Sequence, residues 1–505
     1  MKSLIWFALA GAVAASAGDH TALDRYVAAP DPAFRYELSR TTKIPGATVY
    51  LVNMVSQKWL TPAEVNRQEW RHWLTIIKPD NLRTTTAVLF VNGGSNNDQP
   101  SATADPLTAG IAIEVGAVLA QVDQVPNQPL RFTGENRDRV EDAIIAYTWD
   151  KFLRTGDERW PARLPMTKSV VRAMDAVTGF LATDAGGQTQ VDRFVLAGGS
   201  KRGWTAWTAA ALDKRVVALV PLVIDTLNME QAFIHHWRAY GFWSPAVQDY
   251  VDAGIMRWLG TPQLQALMEI EDPFQYRERL AIPKYVVNSA GDEYFLPDSS
   301  QFYFTDMPGE KQLLYIPNTE HSLGNLDVTY SLISWLQSFL NCTPRPRFYW
   351  RTDRASGVML LKTIDTPKEV KLWKASNPNA RDFRLEAAGV KWESTVLTGE
   401  NDMYLAYPGK PAQGWTAFFL EATFPGPGKF PFKFTTEVVV TPDEYPFPAP
   451  TPSSVIPAML ARPRSSLDDT LGLRWDPNIS LRDSKSPSGT SERSKSSNGC
   501  DCSVK

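Results

Sequence analysis

Between about residues 84 and 340, short β-branched runs alternate with longer amphipathic stretches. That alternation limits the chain to an α/β fold, a mainly parallel sheet covered by helices. The spacing predicts strands over 87–91, 117–122, 194–197, 218–223, 284–288 and 313–316, each ending in a polar or Gly-containing turn. Open α/β sheets bind ligands at the carboxyl ends of their strands, so function is expected in those turns. Residues 226–282 separate two of these strands and carry Trp237, Tyr240, Phe242, Trp243, Tyr250 and Trp258 with helical rather than alternating periodicity. They are expected to form a helical cap over the sheet edge.

Past Cys342-Thr343-Pro344 the texture changes. Segments 347–350, 358–362, 370–374, 416–422 and 432–440 alternate apolar and polar residues and are separated by Gly, Pro and Asn. The expected division is a body over 18–343, a β-sandwich-like domain over 344–447 and a tail over 448–505. The tail is rich in Pro, Ser and mixed charge, with Trp475 its one aromatic after Ala449, and is expected to be disordered.

Composition removes several function classes. The 505 residues suffice for two or three domains at roughly 100–200 residues each. Lys and Arg total 52 against 55 Asp and Glu, a net charge of -3, without the basic excess that phosphate backbones require. Nucleic acid is therefore excluded as a partner. Three cysteines, Cys342, Cys500 and Cys502, build neither a disulfide framework nor a four-thiolate zinc site, so the fold is expected to stand on packing, with no metal and no cofactor. At the start, Lys2 precedes an apolar run over 4–15 and the small residues Ala15-Ser16-Ala17. This reads as a secretory signal peptide over 1–17, too short to span a bilayer, and places the mature chain outside the cytoplasm, extracellular or periplasmic.

The sharpest segment is Phe194-Val195-Leu196-Ala197-Gly198-Gly199-Ser200-Lys201-Arg202-Gly203-Trp204, a buried-type strand running into a Gly-flanked serine and an Ala-rich helix. Strand, sharp turn, serine, helix is the pattern of a nucleophile elbow, in which small neighbours let strand and helix approach while Oγ stays accessible. The glycine usual two places after the serine is Arg202 here, with Gly203 one place later. In α/β-hydrolases the acid and then the histidine follow the serine on later strands. Of the five histidines, His20 borders the cleavage site, His72 precedes the first predicted strand, and His235 and His236 lie in the cap. His321 remains, in a loop between the last predicted strand and a helix over 328–340. Asp292 follows the strand over 284–288 and is the expected acid; Asp225, at the end of the preceding strand, is the alternative, and Glu293 and Asp298 lie nearby. The amide of Lys201 and that of Gly94, in Asn92-Gly93-Gly94, are the expected oxyanion donors. The charges of Lys201 and Arg202 are expected either to stand beside that oxyanion or a substrate carboxylate, or to face solvent. Trp237 and Trp243 are expected either to line a substrate pocket over Ser200 or to form the cap's own core.

Several segments together resemble one family. They are Gly199-Ser200-Lys201-Arg202-Gly203-Trp204, Leu23-Asp24-Arg25-Tyr26-Val27 with Asp31-Pro32 and Tyr36-Glu37-Leu38, Gly291-Asp292-Glu293 with Phe295-Leu296-Pro297-Asp298-Ser299, and Glu320-His321-Ser322-Leu323. They are similar to the PhoPQ-activated pathogenicity-related family, which includes secreted autocrine proliferation repressor proteins, over about residues 23–447. The resemblance implies an α/β-hydrolase-like domain, secretion, and Ser200, Asp292 and His321 as its catalytic positions. Two functions follow as expectations. One is a secreted serine hydrolase of esterase, amidase or peptidase type, acting on a small-molecule or peptide ester or amide. The other is a secreted signalling protein that keeps the fold without the chemistry and meets a cell-surface receptor.

Overall fold

The computed structural model describes residues 21–450 except 102, 325 and 388–390. The expected leader over 1–17 and the expected tail from 451 onward lie outside the described residues. Helix α1 (Ala22–Ala28) opens the described chain, with Thr21 and Asp24 forming a capping box. Antiparallel strands β1 (Arg35–Ile44), β2 (Ala47–Lys58) and β3 (Glu69–Pro79) follow. They were not foreseen: β1 is exposed along most of its length and carries no alternation, while β2, largely buried, and β3, whose burial alternates, lie before the α/β stretch that begins near residue 84. This corrects the placement of His72, which lies within β3 and is buried, with Ser56 Oγ 3.0 Å from Nε2 and the Asp123 carbonyl 2.9 Å from Nδ1. Burial pushes its pKa down to about 4.

The central run is β4 (Thr86–Val91), α2 (Pro106–Val115), β5 (Leu119–Val122), α3 (Asp142–Thr155), α4 (Arg163–Leu181), β6 (Arg193–Gly199), α5 (Lys201–Leu212) and β7 (Val216–Leu222). Three cap helices, α6 (Met229–Tyr240), α7 (Gln248–Asp252) and α8 (Pro262–Glu271), then lead to β8 (Lys284–Ser289), β9 (Lys311–Ile316) and α9 (Leu326–Leu340). Strand order is β1-β2-β3-β5-β4-β6-β7-β8-β9, with the last six strands mutually parallel. This is an α/β-hydrolase-like fold with a helical insertion after β7. All six predicted strands are present, their ends displaced by at most two residues.

The C-terminal part contributes β10 (Phe348–Asp353), β11 (Val358–Thr363), β12 (Glu369–Asn377), β13 (Glu393–Val396), β14 (Met403–Ala406), β15 (Trp415–Phe424), β16 (Phe432–Thr435) and β17 (Val439–Thr441). A single register pair, Leu313 with Thr435, joins β16 to β9, so β16, β15, β12 and β13 prolong the main sheet to 14 strands with β17 beside β15. A second sheet, β10-β11-β14, contributes Met359 and Leu361 to the same buried cluster as Phe418 and Leu420 of β15. The same core holds Tyr285, Leu314 and Trp335 of the α/β part. Cys342, just past α9, is disulfide-bonded.

Candidate active site

Ser200 occupies the turn between β6 and α5 at φ 55°, ψ -130°, a conformation a side-chain-bearing residue adopts only where its surroundings enforce it. Its amide donates to the Leu222 carbonyl at 2.8 Å, so the β6–β7 ladder continues into the turn and holds it. Two glycines make the geometry feasible. A Cβ on Gly203 would stand 2.6 Å from the Gly198 carbonyl oxygen, and one on Gly198 would stand 2.8 Å from the Arg202 carbonyl carbon. Gly203 therefore provides the close strand–helix approach that the usual pattern places one residue earlier. That frees the position of Arg202 for a large side chain.

At the end of β8, Asp292 Oδ1 accepts the amides of Tyr294 at 2.7 Å and Phe295 at 3.3 Å, and Oδ2 lies 2.8 Å from His321 Nδ1. An ionised carboxylate at that distance accepts from Nδ1–H, which leaves Nε2 as the basic nitrogen of the neutral ring. His321 Nε2 is buried and has no hydrogen-bond partner among the described residues. The loop carrying His321 is strapped to the one carrying Asp292, because the His321 amide donates to Glu293 Oε2 at 3.0 Å. Tyr294 covers the imidazole, with ring centroids 4.4 Å apart. Burial and the Asp292 charge raise the Glu293 pKa. Ser200, Asp292 and His321 thus all follow the carboxyl ends of parallel strands.

The other acids are engaged elsewhere. Asp225 receives the hydroxyls of Tyr303 and Tyr315, each at 2.6 Å, and burial pushes its pKa up to about 7. Asp298 lies between His235 Nε2 at 2.8 Å and Arg381 at 2.6 Å. A pH dependence follows for Asp225. Its native pKa lies above the ordinary carboxylate value, so the native state binds the proton more tightly. The stabilisation is full below about pH 4 and is lost as pH rises through about 7. Thermal denaturation of Asp225→Asn should accordingly show a smaller loss of Tm between pH 5 and 8 than the wild type; parallel profiles would place the proton elsewhere.

Lys201 and Arg202 neither face solvent nor stand unpaired. Lys201 Nζ lies 2.9 Å from both Glu141 Oε2 and Asp142 Oδ2, and Arg202 grips Glu141 through two hydrogen bonds of 2.7 and 2.6 Å. These cations hold the Glu141 carboxyl well below the usual carboxylate range against a desolvation penalty that acts upward. Glu141 was missed from the sequence. It belongs to no motif, and its φ of 50° is not readable from residue type.

The loop after β4, adjacent to β6 in the sheet, carries Gly93 and Gly94. Gly94 has φ 119°, and no acceptor meets its amide among the described residues. The Lys201 amide heads α5, where helical N–H groups have no intrahelical partner. In the cap, Trp237 and Trp243 are each 7% exposed and pack against one another with centroids 5.3 Å apart, inside the main core. Among the described residues no group of three or more His, Cys, Asp or Glu side chains is placed to hold a metal ion.

The PhoPQ-activated pathogenicity-related protein family matches residues 23–384, a stretch that contains Ser200, Asp292 and His321. The chain belongs to this family. Autocrine proliferation repressor protein A of Dictyostelium discoideum is 37% identical over 456 residues, covering 85% of this chain and 92% of the relative. Among solved structures, acetyl xylan esterase 1 from Thermoanaerobacterium sp. JW/SL YS485 aligns with TM-score 0.42 at 14% identity, over 59% of this chain and 87% of that one. The acetyl xylan esterase from Paenibacillus sp. R4 aligns with TM-score 0.45 at 13% identity, over 63% and 91%. No helix among the described residues is long and apolar enough to cross a membrane.

Proposed function

We propose that this family member is a secreted serine hydrolase acting on an ester or amide. The observation that carries the reading is the 2.8 Å contact of Asp292 with His321 Nδ1, on the same sheet edge as a serine held at φ 55°. His321 Nε2 takes the proton of Ser200 Oγ as Oγ bonds to the substrate carbonyl carbon. The resulting oxyanion lies between the amides of Lys201 and Gly94. The proton then passes from His321 to the departing alcohol or amine, leaving an acyl-enzyme. Water, deprotonated by His321, attacks the acyl carbon; the bond from that carbon to Oγ then breaks, His321 returns the proton to Oγ, and the carboxylic acid leaves with Ser200–OH restored. Asp292 holds the imidazole orientation and stabilises the imidazolium.

The name of the Dictyostelium relative favours a second reading, a secreted repressor of proliferation on the same fold. The two separate on a panel of p-nitrophenyl esters and amides of increasing acyl length, assayed beside a cell-proliferation assay. The hydrolase reading expects turnover by the wild type and none by Ser200→Ala. Repression of growth by both proteins, with hydrolysis by neither, would replace it with the repressor reading.

A further inference from the structure

The proposed chemistry needs two amides aimed at one point, and they come from separate segments, Lys201 after β6 and Gly94 after β4. Arg202 joins those segments. Its side chain is buried, and Nε donates to the Val125 carbonyl at 2.6 Å while the two terminal nitrogens fork onto Glu141. The guanidinium also occupies the space beside Gly93, since a Cβ on Gly93 would stand 2.4 Å from the Arg202 terminal nitrogen. Val125 returns its amide to the Asn92 carbonyl at 3.1 Å, and Gln124 donates its own to the Gly93 carbonyl at 2.7 Å. Glu141 is itself fixed, because its amide donates to Gln128 Oε1 at 2.7 Å and its carboxylate accepts from Gln128 Nε2 at 2.5 Å. The Gln128 carbonyl accepts the amide of Asn96, in the continuation of the same glycine loop.

We propose that Arg202 is the positioning residue of the oxyanion site, setting the loop of Gly93 and Gly94 in register with the amide of Lys201. This rests on the serine-hydrolase reading above. Arginine is the side chain that can do it. Its planar fork satisfies Glu141 bidentately and still offers Nε to Val125, whereas a lysine is a single point charge on a flexible stem. Glycine at this position, as in the usual elbow, would leave the two segments untied and Glu141 with Lys201 as its one remaining cation. Misplacement of a reacting group by about 1 Å costs on the order of 10²-fold in rate, so the tie is expected to register in turnover rather than in binding.

The test uses the full secreted chain with p-nitrophenyl acetate as substrate, comparing wild type, Arg202→Lys, Arg202→Ala and Ser200→Ala. Arg202→Lys, which keeps the buried charge, should fold and lose roughly 10²-fold in kcat with KM near the wild-type value. Guanidinium chloride at low millimolar concentration should restore part of the lost kcat in Arg202→Ala and none in Ser200→Ala. A folded Arg202→Lys with unchanged kcat overturns the proposal, as does a loss carried entirely by KM. Should Arg202→Ala fail to fold, Arg202→Lys decides alone on the kcat and KM split. Hydrolysis by the wild type with no effect of Arg202 substitution rejects the positioning role only; a wild type without any hydrolysis rejects the serine-hydrolase reading beneath it.

Discussion

If Asp292 orients His321 as proposed, its replacement by Asn is expected to cut turnover roughly 10⁴-fold, by analogy with triad acids, while leaving the melting temperature near that of the wild type. The reason lies in which atoms change. Asn keeps an oxygen that can accept the amides of Tyr294 and Phe295, so the turn after β8 retains its hydrogen bonds. Its other atom becomes an N–H donor facing His321 Nδ1. The imidazole must then present a lone pair at Nδ1 and carry its proton on Nε2, where it cannot take the proton of Ser200. Asp225→Asn should be milder, because Asp225 bonds two tyrosine hydroxyls rather than the imidazole. Steady-state kinetics on both variants check the ranking, and a reversed order would move the acid to the strand before.

The largest stability effect is expected from Glu271. Its carboxylate pairs with Arg163 at 3.1 Å, and both side chains are 0% exposed. Arg163 also donates to the Lys201 carbonyl at 3.0 Å and to Thr205 Oγ1 at 2.6 Å, with its guanidinium 3.9 Å from the Trp204 ring centroid. An arginine remains charged in a protein interior, so Glu271→Leu strands a buried cation beneath the first turn of α5. Breaking one side of a buried pair costs about 3–5 kcal/mol, whereas replacing both partners with apolar groups is often nearly neutral. Chemical denaturation should therefore show a large loss for Glu271→Leu and a smaller one for Arg163→Met/Glu271→Leu. Equal losses in the two proteins would mean that the pair contributes through packing instead.

The central sheet was legible because its strands are buried on both faces and read as apolar runs closed by turns, as in β6 and β8. The N-terminal ribbon was not, since β1 is exposed along most of its length and carries no alternation. Short exposed strands such as β13 were missed for the same reason. In the candidate site, Ser200, Asp292 and His321 could be singled out by type and chain order alone. What surrounds them could not. Whether Lys201 and Arg202 face the site or solvent could not be read, because the partner that buries them, Glu141, lies far away in the chain and has no motif of its own. The joining of the C-terminal strands to β9 rests on one register pair, Leu313 with Thr435, which no local pattern announces.

The central claim, that Ser200 is an activated nucleophile, is tested most directly by intact-mass spectrometry of the purified chain after exposure to a fluorophosphonate. A serine whose proton His321 can accept attacks phosphorus and expels fluoride, so the wild type should gain the mass of one phosphonyl group. Ser200→Ala should gain none, and His321→Ala should react far more slowly. A well-folded wild type that stays unlabelled, or a Ser200→Ala variant labelled as fast as the wild type, would contradict the account.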